Sequence, residues 1–368
     1  MIMKITQVIS DSNVGGAGIL LASVVGELMN EFDFEIIVPQ GSRLCERLPR
    51  GVRISELHFR ADKSFCPNDI STFHSHLRRS KPNILHTHAA LSARIGARLA
   101  GVHTCLSTRH CAKEDAKVKK MTRLQRTIYN YCTDITISTA DFATRNLICE
   151  GVDESKIVTI KNGSAPTCHI DNQQKQQLLS SLGLCGEDII IGSCARLEDI
   201  KGQDIILRAA PMILNEFPRA KFLFLGCGSR MNEYLRLCAA MGIERNVIFC
   251  GYVSDPAPYQ NLFYINVNSS RGTETSCLAT SECMALGIPT VASDFGGNTE
   301  MVKDGVCGLI FPSGNSFALA EAVMRLLRDK ELYKRLSQGA KDAFERSYSR
   351  VAMVDCYRGL YRALGRFI

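Results

Sequence analysis

The sequence predicts an α/β protein made of two Rossmann-like, doubly wound domains facing a central cleft. Three observations point there. Short apolar runs rich in β-branched residues alternate with longer runs of 3.6-residue periodicity. The alternation pauses in a polar stretch and then begins again. A chain of 368 residues is also too long for one ordinary core and suits two domains of roughly 150 to 200 residues.

Taken in order, "KITQVIS" reads as a first strand that runs into a glycine turn and the periodic helix "GAGILLASVVGELMNEF". The runs "FEIIVP", "NILHTH", "TCLSTRH" and "DITIST" follow as strands, spaced by helical patterns. That order suits a parallel sheet with helices on both faces. After "KIVTIKNGSAP" the polar segment "TCHIDNQQKQQLLSSLGLCGED" reads as a connection. A second strand series follows in "IIIGSCAR", "KFLFLG", "VIFCGYV", "INVNSS" and "PTVAS", with "QDIILRAAPMILNEF" and "MNEYLRLCAAMG" as helices between them. The remainder is helical in pattern to its end. These readings give a first domain over 1–165, a linker over 166–185 and a second domain over 186–349. A last helix, over about 350–368, packs back on the first domain.

Composition narrows the function classes. No apolar run approaches the ~20 residues that cross a bilayer, and the N-terminus reads as a strand with no leader-like apolar region. Sixteen cysteines never form C-x-x-C and lie scattered through apolar segments, which suits reduced thiols in the cytoplasm and signals neither zinc nor a redox pair. Charge is uneven: 22 Lys and Arg face 16 Asp and Glu through Gly163, against 22 and 21 after it. The basic first half suits an anionic small molecule or an anionic membrane surface better than nucleic acid.

Several loops after strands carry candidate chemistry. Gly15-Gly16-Ala17 opens a helix where bare N–H groups can approach a phosphate or sugar, or simply make a tight turn. Arg196 directly follows a strand, and Lys201 lies just before Gly202 and a periodic helix, so the two cations read either as a diphosphate site or as surface charge. Gly226 and Gly228 form G-x-G, but Met231 stands where the third glycine of a dinucleotide fingerprint belongs, which speaks against a dehydrogenase.

In "ETSCLATSECMALGIP" a helix from about Ser276 ends at Gly287. Glu274 precedes it and Glu282 lies inside it. Both acids can accept from sugar hydroxyls beside the N–H groups of Thr275, Ser276, Cys277 and Leu278, or can be plain helix-surface charge. His86 and His88 form H-x-H at a strand end and His110 ends "STRH"; no third metal ligand is apparent, and these positions suit packing or a hydrogen bond to substrate. Finally, 112–131 sets Lys113, Lys117, Lys119, Lys120, Arg123 and Arg126 beside Met121, Leu124, Ile128 and Tyr129. That basic amphipathic pattern suits an anionic lipid surface or an ordinary helix with one face in the core.

As an ordered set these motifs resemble the retaining nucleotide-sugar glycosyltransferases of family four, which have the two-Rossmann GT-B fold. The set comprises "GGA", "ILHTH", "STRH", "DITIST", "KIVTIKNG", "ARLEDIKG", "LFLGCG", "VIFCGYV" and the E-x7-E signature continuing into "MALGIPTVASDFGGNTEMV". The resemblance implies that Arg196 and Lys201 hold the donor diphosphate, that Glu282 holds the ribose and that Glu274 meets the transferred sugar. It also implies that His110 meets the sugar in the cleft and that the backbone at Gly15 and Gly16 approaches the donor phosphates. Thr275-Ser276-Cys277 stands where the family often has G-F-G after the first acid.

The implied reaction moves a sugar from a UDP- or GDP-sugar to a hydroxyl of a glycan or lipid-linked glycan, with the anomeric configuration retained and no metal or other cofactor. Cell-surface polysaccharide or lipopolysaccharide synthesis at the inner membrane face is the implied setting. A nucleotide-sugar epimerase of the same fold and a non-catalytic sugar-binding protein or scaffold are the alternatives.

Overall fold

The structure is a computed structural model that describes residues 2–11, 15–110, 112, 118–272 and 274–365. Lys113 and Lys117 of the basic segment lie outside the described residues, as do the last three residues of the expected C-terminal helix. The chain divides into two compact units, residues 1–162 with 350–368, and residues 163–349.

The first unit runs β1 (Lys4–Ile9), α1 (Gly16–Leu28), β2 (Asp33–Pro39), β3 (Arg53–Leu57), α2 (Asp69–Ser80), β4 (Ile84–His88), α3 (Leu91–Leu99), β5 (Thr104–Arg109), α4 (Arg123–Cys132), β6 (Ile135–Ser138), α5 (Asp141–Glu150) and β7 (Ile157–Thr159). Its seven strands lie in the order β3-β2-β1-β4-β5-β6-β7, and each described pairing is parallel. Central strands are buried on both faces, which is why they read as nearly unbroken apolar runs. The edge strand β3, "RISEL", is largely exposed and polar, and it gives no comparable signal.

The second unit begins at Gly163, ahead of the expected linker, and takes in the whole of it. Asp171 accepts from the Gln174 amide at 2.7 Å and Gln174 returns a bond to the Asp171 amide, a capping box that starts α6 (Asn172–Ser181). Polarity here reflects a solvated helix. There follow β8 (Ile189–Cys194), α7 (Gln203–Glu216), β9 (Ala220–Leu225), α8 (Met231–Met241), β10 (Val247–Phe249), α9 (Ala257–Gln260), β11 (Ile265–Asn268), α10 (Leu278–Ala285), β12 (Thr290–Ser293), α11 (Asn298–Met301), β13 (Gly308–Phe311), α12 (Ser316–Arg328) and α13 (Lys330–Ala343). The parallel sheet has the order β10-β9-β8-β11-β12-β13. Ile191, Phe222, Phe224, Val267 and Leu319 belong to its main core.

After a turn of π-helix over Phe344–Tyr348, the chain enters α14 (Arg350–Gly365), which packs on α1 in the first unit. Glu31 receives Arg358 at 2.8 Å and Arg362 at 2.7 Å, and the buried Tyr361 packs edge-on against Phe32 and Phe34.

Each sheet reverses its strand order once, at β1/β4 and at β8/β11. The loops that follow strands on either side of such a reversal diverge, which leaves room for a ligand. Gly15 follows β1, Arg196 follows β8 and Glu274 follows β11.

Candidate functional site

In the second unit the loops after β8 and β11 are tied together. Arg271 donates to Asp199 at 2.6 Å and to Asp204 at 3.1 Å. The Ile200 carbonyl accepts from the amides of Arg271 and Gly272, and the Lys201 carbonyl accepts from the Ser269 hydroxyl. This lattice sets Lys201 against Glu274: the ammonium donates to Glu274 Oε2 at 2.8 Å, and the Ser270 hydroxyl donates to the same oxygen at 2.8 Å. Burial works against the Lys201 charge, but the neighbouring carboxylate outweighs it and holds the ammonium pKa above its usual value. Glu274 is 8% exposed, so it is not a solvated surface acid.

Both bonds fall on Oε2, and no described residue bonds Oε1. A pocket beside the pair is lined by Cys194, Ala195, Ser269, Cys277 and Thr280.

Arg196 stands on the same loop, exposed, and its guanidinium forms no ion pair among the described residues. Its carbonyl accepts from Gln203 Nε2 at 2.9 Å, which fixes the backbone and leaves the head group available. Gly226 and Gly228 lie directly beneath. A Cβ on either would fall inside contact distance of the Ala195 or Leu197 carbonyl, and Gly226 has φ +135°. The incomplete G-x-G thus marks the close approach of the arginine loop to the strand-to-helix turn after β9, a role the sequence reading did not assign.

Glu282 projects from α10. Gln260, fully buried on α9, donates to Glu282 Oε2 at 2.7 Å, and no described residue bonds Oε1. Burial raises the Glu282 pKa, the Gln260 bond opposes that, and Asp255 adds to it. The Cys194 thiol, on the pocket wall, is pushed up to about 12 by burial and then by the Glu282 charge, so this acid lies within electrostatic reach of the pocket.

The helix itself starts later than expected. Cys277 is its N-cap, and Leu278, not Ser276, begins α10. The Cys277 amide lies 3.1 Å from the Met301 sulfur, so this expected ligand-facing N–H is turned to the protein because α11 packs beneath the loop. Amides in the first turn from Leu278 have neither an intrahelical partner nor a side-chain cap. Ser276 Oγ is buried with no partner among the described residues. The loop containing Gly296 and Gly297 holds the stretch from behind: the Gly297 amide donates to the Glu274 carbonyl at 3.1 Å, and a Cβ on Gly297 would collide with the Thr275 carbonyl. Gln260, Ser270 and Gly297 were all missed in the sequence, where only the "FGGN" run hinted at the last.

In the first unit Gly15 is the N-cap of α1, which Gly16 opens with no side-chain cap and no acid in its first turn. The register sets Gln7 opposite His86 and His88 opposite Thr108, so all four share one face of the sheet. His110, just past β5, stacks on His88 at 5.0 Å, and His88 stacks on His86 at 4.8 Å.

The hydrogen bonds have a direction. Gln7 Nε2 donates to the Tyr361 hydroxyl at 2.9 Å, so Gln7 Oε1, 3.0 Å from His88 Nε2, accepts a proton from it. His88 Nδ1 therefore accepts at 2.7 Å from His110 Nε2. Tyr361 in turn donates to His86 Nδ1 at 2.7 Å, and His86 Nε2 donates to Thr108 at 2.6 Å. Burial pushes all three imidazoles down, His86 to about 3, His110 to about 4 and His88 well below its usual value, so they are neutral at pH 7. Hydrogen bonding and packing account for His86 and His88, and no group of three or more metal-ligating side chains occurs among the described residues.

Comparison with known proteins fits this geometry. Residues 14–166 match the family model for Glycosyltransferase Family 4, and residues 174–343 match that for Glycosyl transferases group 1. The chain is 25% identical over 362 residues to the Escherichia coli UDP-Gal:alpha-D-GlcNAc-diphosphoundecaprenol alpha-1,3-galactosyltransferase, covering 90% of this chain and 89% of that one. It is 23% identical to the Bacillus anthracis N-acetyl-alpha-D-glucosaminyl L-malate synthase, covering 77% and 75%. A 30% identity to the putative glycosyltransferase EpsD of Bacillus subtilis spans 50% of this chain and about half (49%) of that protein. Among solved structures, Anabaena HepE in complex with UDP superposes with a TM-score of 0.85 at 16% identity, over 98% of this chain and 100% of that one. Both units thus have the Rossmann-like form of the GT-B fold.

Proposed function

Because the chain belongs to the family four glycosyltransferases, we propose that it transfers a sugar from a UDP- or GDP-sugar to a hydroxyl of a glycan or lipid-linked glycan, with retention of the anomeric configuration. The observation that carries this reading is the Lys201–Glu274 pair at the β8/β11 reversal, with Arg196 exposed on the same loop. Arg196 and Lys201 take the donor diphosphate, assisted by the open amides at the start of α10. Glu274 Oε1 accepts from a hydroxyl of the transferred sugar, and Glu282 Oε1 accepts from the ribose. His110, Gly15 and Gly16 complete the reading from the first unit.

The incoming hydroxyl attacks the anomeric carbon on the face from which the diphosphate departs. The carbon–oxygen bond to the diphosphate breaks, and a diphosphate oxygen takes the hydroxyl proton. Negative charge grows on the leaving group, so preorganised cations and amides lower the barrier by several kcal/mol. They carry out the charge stabilisation that a metal would otherwise supply, and we propose no metal or other cofactor. The Escherichia coli relative, named for a diphosphoundecaprenol-linked substrate, supports the acceptor class, and free thiols among the described cysteines support the cytoplasm.

A panel of UDP- and GDP-sugars read by thermal shift identifies the donor, because a ligand of the folded state raises its melting temperature. Proton NMR of the transfer product then reports the anomeric configuration. Retained configuration, with activity unaffected by EDTA, is expected. Inversion, or loss with EDTA and recovery with Mg²⁺, contradicts this reading.

A further inference from the structure

Behind Glu274 lies a closed ring of hydrogen bonds. The Ser270 amide donates to Asn268 Oδ1 at 3.2 Å, and Asn268 Nδ2 donates to Asn298 Oδ1 at 2.9 Å. Asn298 Nδ2 donates to the Ser293 hydroxyl at 3.0 Å, which donates in turn to the Ser270 carbonyl at 2.5 Å and so returns to the residue where the ring began. Direction is fixed throughout. A backbone amide can only donate, so Asn268 presents Oδ1 to it and Nδ2 to Asn298, which then presents its own Nδ2 to Ser293. Ser270, Ser293 and Asn298 are each 1% exposed or less, and Asn268 is buried.

Three elements meet here. Asn268 ends β11, Ser293 ends β12 and Asn298 opens α11, and the parallel register sets Asn268 opposite Ala292, beside Ser293. Asn298 also directly follows Gly297, whose amide donates to the Glu274 carbonyl at 3.1 Å. One loop therefore holds Glu274 twice, its backbone through Gly297 and its side chain through the ring. A buried polar network with its members satisfied is rigid. This one grips Ser270 by both amide and carbonyl, which fixes the serine whose hydroxyl donates to Glu274 Oε2 at 2.8 Å. Lys201 takes the same oxygen, and no described residue bonds Oε1.

We propose that Asn298 is a positioning residue for sugar transfer: through Ser293, Asn268 and Ser270 it sets the Glu274 carboxylate so that Oε1 meets the transferred sugar. Asn298 itself is buried with Oδ1 and Nδ2 both engaged, so it acts through Glu274 and does not touch substrate. The inference rests on the proposed donor reading and adds to it the residues that aim its acid.

Calorimetry on the full chain compares the cognate UDP- or GDP-sugar with the matching UDP or GDP, which lacks the sugar that Glu274 meets. In Asn298→Ala the nucleotide sugar is expected to bind about fivefold or more weakly, while the diphosphate stays within about twofold of wild type. Ser293→Ala opens the ring at another member and should show the same split, so it reports independently if Asn298→Ala fails to fold. Ser270→Ala removes the last link, and adding Asn298→Ala to it should cost little further affinity. Unchanged nucleotide-sugar affinity in the folded ring variants, an equal loss for both ligands, or losses that multiply in the double variant overturn the proposal. A wild-type chain that binds neither a UDP- nor a GDP-sugar overturns the donor reading and this inference with it. That result is distinct because it precedes any substitution.

Discussion

Lys201 and Glu274 each stand almost out of water, and each is acceptable there because of the other. Removing one partner leaves a buried charge, so Lys201→Met or Glu274→Gln is expected to cost about 3 kcal/mol of unfolding free energy, with the double variant losing less than the sum. Chemical denaturation of the four proteins measures this. The histidines supply a pH dependence. The unfolded chain takes up protons on His86 and His110 below about pH 6.5, while the folded chain refuses them until about 3 and about 4. Their contribution is therefore full above pH 6.5 and is lost as pH falls toward 4 for His110 and toward 3 for His86, with a slope of at most about 1.4 kcal/mol per pH unit for each. Unfolding free energies from pH 7 to 5 should fall less steeply in His86→Gln. Nitrogen-15 NMR should find the His110 proton on Nε2, the tautomer dictated by Gln7 and His88. Arg196, Lys201 and Glu274 stood out in the sequence as charges on loops after strands and Glu282 as an acid inside a helix, but each read equally as surface charge until the ordered resemblance set them apart. Gln260, Ser270 and Gln7 did not stand out, because a polar residue that meets its partner from a distant strand or helix has no local pattern to declare it.

At the level of elements, loops and helix ends carry the site. Gly296 and Gly297 let one loop pass behind Glu274 and Thr275, and a side chain on Gly297 must push the Thr275 carbonyl forward. Gly297→Ala is expected to weaken donor binding and lower the melting temperature together, whereas Gly314→Ala, in an open turn, costs only the strain of its positive φ. Helix α14 reaches the first sheet through Tyr361. Tyr361→Phe leaves Gln7 Nε2 and His86 Nδ1 buried without this partner, at a cost of about 2 kcal/mol by denaturation. Strand and helix order was readable from periodicity, but β3 and β13 were not singled out, the first because it is a largely exposed edge. The outward face of α4, which exposes Leu124, Ile128 and Tyr131, was equally hidden, since periodicity gives the spacing of an apolar stripe and not the direction in which it points.

For the whole molecule, two parallel sheets, each with one reversal, account for both the length of the chain and the restart of its pattern. The proposed donor site belongs to the second unit, where Arg196 forms no ion pair among the described residues and Glu274 and Glu282 each keep an oxygen that no described residue bonds. Hydrogen exchange with bound donor should therefore show protection concentrated at 194–202 and 268–282. The central claim is that Arg196, Lys201, Glu274 and Glu282 hold a nucleotide sugar, and calorimetry tests it most directly. The cognate UDP- or GDP-sugar is titrated into the wild-type chain, Lys201→Ala and Glu282→Ala, each shown to be folded. The account predicts affinity at least tenfold weaker in both variants, about 1.4 kcal/mol or more each. Unchanged affinity in the folded variants would contradict it.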